Sequence, residues 1–280
     1  MATTSAQGQL QLAFATNGSS RTDVVERRWC FPLRMTVPLY LDPADRGMAF
    51  VYVQNPTGGV FAGDDLTVSV DARAGSRVHL TTQSATKVNR MDKGFARQHI
   101  DVRVGDGSYV EYIPDVLIPQ GRSRYAQTLR VELGARASFI GTELLAPGRV
   151  GHGERFEYSS LRFDTTVVAG DETLMSESLD LVPERRAPAS RGLLGGSDYL
   201  ATLIAVTSLD QPAATLASSL DEALAASSDV RGGAGELPTG SGAMARVLAD
   251  SAPAARRALD TAWEVARHSL AGLPLPPRRK

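Results

Sequence analysis

Residues 55 to 66, Asn-Pro-Thr-Gly-Gly-Val-Phe-Ala-Gly-Asp-Asp-Leu, and residues 81 to 87, Thr-Thr-Gln-Ser-Ala-Thr-Lys, concentrate the small and polar groups from which a site can be built. Pro56 followed by Gly58, Gly59 and Gly63 specifies a loop with positive φ or close backbone approach, and such loops on rigid frameworks often carry function. Acidic residues follow the last glycine, so the loop is not a phosphate cradle, which needs Lys-Ser/Thr there and a helix to aim its amides. Two readings stand: a glycine turn whose aspartates cap backbone amides, or a loop in which Asp64 or Asp65 offers oxygen to a metal or a partner. Ser84-x-x-Lys87 has the spacing of serine acyl-transfer enzymes, but no lysine precedes a Thr-Gly pair and Ser197-Asp198 is followed by Tyr199 instead of Asn. Lys87 stands out for another reason: Lys87, Lys93 and Lys280 are the only lysines among many arginines.

A second glycine corner, Gly148-Arg149-x-Gly151-His152-Gly153-Glu154, lies just after Glu143. On an extended chain His152 and Glu154 project to one side, so a carboxylate and an imidazole can meet one cation. A stable transition-metal centre needs three or four ligands, and His79, His99 and His268 are scattered, which leaves only a transient metal contact. The bland alternative pairs Glu154 with Arg149 and leaves His152 in solvent. Between the two corners, Arg122, Ser123 and Arg124 form a basic polar turn suited to ordering carboxylates within the protein or across an interface.

The elements that position these groups are mostly strands. Period-two alternation recurs at Leu10, Leu12 and Phe14, at Val68 and Val70, at Val78 and Leu80, and in runs at 100–104, 109–113, 129–133, 139–145, 156–168, 174–181 and 199–206. The turns between them are too short for crossover helices, which predicts an all-β sandwich, barrel or solenoid over residues 9–209 and no sequence repeat of fixed length. After Ser208 the composition turns to Ala and Leu: a helix over 215–226, a Gly/Ser-rich mobile loop over 227–242, and a last helix from a cap at Ser251, with Pro253 in its first turn, to Gly272. That helix aligns Leu259, Trp263, Ala266 and Leu270 into a face that must dock on the sheet or on a partner protein; the sheet is the expectation, so that 210–272 forms a helical region on the scaffold. Residues 1–8 and 273–280 are expected to be flexible termini.

Bulk properties exclude several classes. The chain has 280 residues and a formal net charge of −1, which gives no basic field for nucleic acid or an acidic membrane. Cys30 is the only cysteine, so intramolecular disulfides and cysteine-rich metal sites are excluded and a reducing cytoplasm fits. No segment approaches the roughly 18 apolar residues of a membrane span, and the first residues lack the pattern of an export signal. A glycosidic acid pair such as Asp64 with Glu154 would need an aromatic-lined groove, in a chain that is only 6% aromatic. A plain binding module leaves the Thr-Thr-Gln and Gly-Arg corners unexplained.

Taken in order, these segments resemble the urease accessory protein family UreD, called UreH in some species. The resemblance is carried by Asn55-Pro56-x-Gly58-Gly59-x-x-x-Gly63-Asp64, Thr81-Thr82-Gln83-x-Ala85-Thr86-Lys87-Val88-x-Arg90, Pro114-x-x-x-Ile118 with Ser123-Arg124 and Gln127, and Glu143, Gly148-Arg149 and Gly153-Glu154. Leu33-Arg34-x-x-x-Pro38-Leu39-Tyr40 and the last helix fit as well; Asp65, Asn89 and the Pro-Pro-Arg-Arg-Lys end depart from the family pattern. The resemblance implies a helically wound, solenoid-like β structure with a small C-terminal α-helical region, acting as a scaffold and not as an enzyme. It implies UreF, UreG through UreF, and apo-urease as partners, with nickel in transit and no stably bound cofactor. It makes Asp64, Thr82, Gln83, Lys87, Ser123, Arg124, Glu143, Arg149 and Glu154 partner-binding or channel-lining residues, with Asp64, Glu143 and Glu154 as transient nickel contacts.

Overall fold

Alternating apolar residues make each strand amphipathic, and the computed structural model, which describes residues 7–18, 20–209 and 213–277, buries those faces between two sheets. The strands are β1 (Gln7–Thr16), β2 (Thr22–Cys30), β3 (Arg34–Met35), β4 (Ala49–Gln54), β5 (Asp65–Ala72), β6 (Arg77–Thr82), β7 (Thr86–Val88), β8 (Ala96–Val104), β9 (Tyr109–Tyr112), β10 (Leu117–Pro119), β11 (Arg124–Leu133), β12 (Ser138–Leu145), β13 (Ser160–Ala169), β14 (Glu172–Leu181) and β15 (Tyr199–Thr207). Helix α1 (Ala213–Ala225), β16 (Val230–Glu236), β17 (Gly242–Ala249) and α2 (Ala252–Ala271) complete the chain. One sheet runs β14-β13-β11-β8-β5-β1-β2; the larger runs β16-β17-β15-β12-β9-β6-β4-β3, with β7 and β10 attached at its side.

From β4 to β13 the chain alternates between the sheets, and each new strand lies parallel to the one a full turn earlier. This is a helically wound, solenoid-like β structure, closed by antiparallel strands at both ends. The register explains why no fixed repeat is visible. Asp65 pairs with Arg97, Arg97 with Ala126 and Ala126 with Arg162, giving turns of 32, 29 and 36 residues. The strands keep register while the corners between them vary in length.

Two cores result. Leu10, Val68, Ile100, Val131 and Phe139 belong to the core between the sheets; Ile140, Leu144, Leu203 and Val247 face the other way, under α1 and α2. Helix α2 starts where expected: Ser251 Oγ accepts from the Ala254 amide (3.3 Å), Pro253 sits in the first turn, and Gly272 at φ 66° ends it. Leu259, Trp263, Ala266 and Leu270 are all buried against the larger sheet, and Ala255, Ala258 and Ala262 allow close approach.

The expected mobile loop at 227–242 is instead strand β16 and the turn into β17. Its glycines supply clearance: a Cβ on Gly232 would lie 3.2 Å from the Arg246 carbonyl oxygen and 3.4 Å from Leu224 of α1, so the composition of a linker here lets a helix lie on a strand. Strand order likewise begins at Gln7, earlier than the expected end of the terminus at residue 8; residues 1–6, 210–212 and 278–280 lie outside the described residues. The expected run at 156–168 becomes strand only from Ser160.

A charged cluster that sequence patterning did not find ties α2 to the sheet. Arg267, 0% exposed, pairs with Asp42 and with Glu111 (3.0 Å), while Glu111 also accepts from Tyr109 Oη (2.6 Å) and meets His79 Nδ1 (2.7 Å). Burial alone would raise the Glu111 carboxyl, but the His79 hydrogen bond and the charges of His79 and Arg267 hold it below the usual range. His79 is stacked between Phe50 (4.5 Å) and Trp263 (5.4 Å). Removing the guanidinium leaves Asp42 buried without a counter-charge among the described residues and Glu111 with only His79 and Tyr109. Arg267→Met is therefore expected to cost about 3–5 kcal/mol, measured by urea denaturation followed by circular dichroism.

Candidate functional site

Every passage from the larger sheet to the smaller one lies on the same edge of the solenoid, because parallel stacking puts successive corners above one another. The four corners there are residues 55–64, 83–95, 113–123 and 146–159, which hold nearly all the motif residues. A third, short parallel ladder joins them: Val60 bridges Val88, β7 pairs with β10 over Thr86–Leu117 to Val88–Pro119, and Leu117 pairs with Leu145. Further bonds cross between corners, from the Gln120 amide to the Val88 oxygen (2.9 Å) and from the Arg122 amide to the Glu157 oxygen (2.7 Å).

The first corner is built by Asn55, whose Oδ1 accepts from Thr57 Oγ1 (2.6 Å) and whose Nδ2 donates to the Gly59 oxygen (3.1 Å). Gly59, at φ 152°, must be glycine: a Cβ would stand 2.5 Å from the Lys87 carbonyl oxygen of the next corner. Asp64 is buried and its Oδ2 accepts from the Phe61 amide (2.8 Å), the turn-capping role. Thr82 Oγ1 accepts from the Asp115 amide (2.8 Å), linking the second corner to the third. Gln83 and Lys87 are exposed at the surface of this edge.

Ser123 is fully buried, its Oγ without a hydrogen-bond partner among the described residues, while its carbonyl accepts from the Ser159 amide (2.8 Å). Arg124 Nη1 donates to the Met91 oxygen (2.9 Å), so this arginine holds a neighbouring corner and not a carboxylate. Arg149 and Glu154 form a two-pronged ion pair, with Nε to Oε2 at 2.8 Å, and Glu154 also accepts from the Gly121 amide (3.1 Å). The Arg149 hydrogen bond, with that of the Gly121 amide, holds the Glu154 carboxyl below its usual range. His152 is exposed.

Glu143 stands apart from the corners. Its neighbours in β12, Phe139 and Leu145, belong to the inter-sheet core and Leu144 to the helix-covered one, so alternation turns Glu143 into the sandwich interior. Gln127 Nε2 donates to it (2.8 Å), and Tyr125 Oη bonds to Gln98 (2.7 Å) and Gln127 (3.1 Å). Desolvation raises the Glu143 carboxyl from 4.5 to about 7, opposed only in part by the Arg246 charge. The polar interior extends through three cavities. One of about 110 Å³ is lined by Leu33, Gly59, Thr82, Lys87 and Gln98; it shares Thr86 and Gln98 with a second of about 30 Å³ around Tyr112, Gln127, Glu143 and Thr202. The second shares Leu179 and Leu200 with a third of about 390 Å³ that opens beside Arg231 and Arg246. The middle space, with room for about one or two waters, is the smallest of the three.

Thus the fold gathers Asp64, Thr82, Gln83, Lys87, Ser123, Arg124, Arg149 and Glu154 on one edge and puts Glu143 inside. Among the described residues no three His, Cys, Asp or Glu side chains are grouped to hold a metal, so Asp64, Glu143 and Glu154 are not one cluster. Gln98, Tyr112, Tyr125, Thr202 and Arg246 line or face the interior and were missed. Of these, Gln98 gave a signal, a polar residue in the buried phase between Ala96 and Ile100; Tyr112 and Tyr125 are in phase with the core and Arg246 with the exposed face of β17, so none of the three stands out.

The family model described as UreD urease accessory protein matches residues 6–280. The chain belongs to the UreD family. It is 38% identical over 98% of its length to Urease accessory protein UreD 2 of Streptomyces griseus, covering 93% of that protein, and 36% identical over 94% to Urease accessory protein UreD of Mycolicibacterium gilvum, covering 94%. An archaeal UreD, from Haloarcula marismortui, is 33% identical over 98% of the chain and 90% of its own length. In this UreD-family chain no helix among the described residues is long and apolar enough to cross a membrane.

Because the carboxyl of Glu143 is raised on folding, its contribution favours the folded state fully below pH 4.5 and is lost as pH rises toward 7. Glu143→Gln removes that loss. The variant is expected to be more stable than the parent at pH 8, by on the order of 3 kcal/mol, with the difference vanishing near pH 4, read from urea midpoints across a pH series.

Proposed function

We propose that this chain is a non-catalytic scaffold of urease maturation, linking apo-urease to a UreF–UreG complex and conducting nickel through its interior toward the urease active site. Family membership supports the role in urease maturation. The conducting role is supported by one observation: three neighbouring cavities share lining residues, and Glu143 lines the smallest of them, between the other two.

The chemistry suits a cargo that must not stay. Glu143, Gln98, Gln127 and Thr202 are oxygen donors, and hard or borderline divalent cations bind isolated carboxylates and amides weakly enough to leave. Near neutral pH Glu143 is divided between its acid and carboxylate forms, so an arriving cation displaces a proton instead of breaking an ion pair. Asp64 and Glu154 are tied to the Phe61 amide and to Arg149 and the Gly121 amide, which favours Glu143 as the nickel contact of the three and gives the other two the part of shaping the corners. On this reading Gln83 and Lys87, exposed beside the first cavity, meet a partner. The setting is cytoplasmic, where the sole cysteine stays a thiol.

Co-expression with UreF, UreG and apo-urease tests both halves. The chain is expected to co-purify with UreF and apo-urease and to show no glycan hydrolysis alone. Glu143→Leu is expected to leave co-purification intact while lowering the nickel content of the urease by about tenfold, measured by atomic absorption, with Glu143→Asp restoring much of it. Unchanged nickel content in Glu143→Leu would remove the interior route; failure of the parent chain to co-purify would remove the scaffold.

A further inference from the structure

The smaller sheet has two open edges, β2 and β14, and only β2 carries exposed large apolar side chains. β2 is the last strand of its sheet, pairing with β1 on one side only. Proteins usually shorten, cover or kink such edges, since their free amides and carbonyls invite another strand. Here the edge runs nine residues, and residues 25–39 supply most of the exposed large apolar side chains: Val25 at 48%, Trp29 at 47%, Phe31 at 56%, Val37 at 65% and Leu39 at 37%. At the opposite end β16 is covered by α1, whose Asp221 accepts from the Ala234 amide (3.0 Å).

The charges on β2 decide what fits. Register with β1 sets Trp29 opposite Leu10 and Arg27 opposite Leu12, on the core-side face, and Arg28 opposite Gln11 on the outer face. Arg27 and Arg28 are exposed and have no ion pair among the described residues, whereas Glu26 is paired with Arg73. Arg34 adds a third positive charge, its guanidinium 4.7 Å from the centre of the Trp29 ring. A second copy is a poor occupant. In antiparallel self-pairing about an axis normal to the sheet, the residue at the axis faces its own copy; the register centred on Glu26, which overlaps all of β2, and those on Arg27 and Arg28 set like charges together, and the Val25 register, which sets Arg27 opposite Asp23, gives up two residues of overlap.

We propose that β2 is a docking edge that takes an extended segment of another polypeptide as an added strand, with carboxylates meeting Arg27 and Arg28 and an apolar side chain packing on Trp29. Backbone pairing supplies the binding and the alternating side chains the selectivity. The inference deepens the scaffold reading above, from which it takes only that the donor belongs to the proposed maturation complex.

The test compares the parent chain, Arg27→Glu/Arg28→Glu and Trp29→Ser in co-purification with apo-urease and with UreF–UreG, beside amide exchange of residues 22–30. In the free chain about half of the β2 amides point outward and exchange fast. The inference expects those amides to slow by about tenfold or more in one of the complexes, and the charge-reversed chain to bind that partner about tenfold more weakly while the other partner is retained. Retained binding by both variants with unchanged β2 exchange overturns the inference and leaves the scaffold reading standing. So does a concentration-dependent dimer in light scattering that protects β2, or retention on nucleic acid that the charge reversal abolishes. Failure of the parent chain to co-purify with either partner overturns the scaffold reading and the inference with it.

Discussion

The molecule depends on parallel backbone pairing between successive turns of one winding. β5, β6, β8, β9 and β11 each pair in parallel with a strand of the turn before and one of the turn after, so each turn is placed by its neighbours. Stacking strands also stacks corners, which is how segments far apart in sequence become one edge. The third ladder, from Val60 through β7 and β10 to Leu145, prevents those corners from wandering as loops of 29- to 36-residue turns otherwise would. Glycines at the tightest crossings, Gly59 above all, let one corner's backbone pass close to the next.

The same winding leaves an interior whose filling varies along its length. Near the turns opposite the motif edge it is dry and apolar, with Phe14, Val78, Val104 and Phe139 fully buried. Toward the motif edge the inward positions become Thr82, Gln98, Gln127 and Glu143, and the packing opens into linked cavities. Half-buried to buried polar side chains are costly unless bonded, and Gln98, Gln127 and Glu143 bond to one another, in part through Tyr125. The one exception to neutrality, Glu143, has its titration moved toward physiological pH by that setting.

Helices cover only the larger sheet. The outer face of the smaller sheet stays open, with Gln11, Ser69, Asp101 and Arg130 in one row across it, as a solvated face requires. The helical cover is held by apolar packing and by the fully buried Arg267 between Asp42 and Glu111. Such a cluster adds little net stability against an apolar alternative, yet it admits one placement of α2 only, since any shift would strand a charge. Two ends of the chain are thereby joined, for Asp42 precedes the winding and Arg267 follows it.

Sequence alone determined what depends on neighbours along the chain. Alternation marked the strands from Leu10 to Val206, Ser251, Pro253 and Gly272 bounded α2, and the glycine corners marked the edge where the motifs gather. The Arg149–Glu154 pair and the capping role of Asp64 were both among the readings open at that stage. Tertiary structure decided what depends on residues one turn or half a chain away. Gly232 and Gly233 read as part of a linker because their purpose, clearance beneath α1, lies in a helix that local composition cannot see. Gln127 and Glu143 entered only through the resemblance and Gln98 not at all until register set them side by side; His79 counted only as a scattered histidine, and Arg267 went unremarked, until folding brought Asp42, Glu111 and Trp263 to them. Periodicity reports which face a residue shares with its neighbours; only the winding determines what stands across from that face.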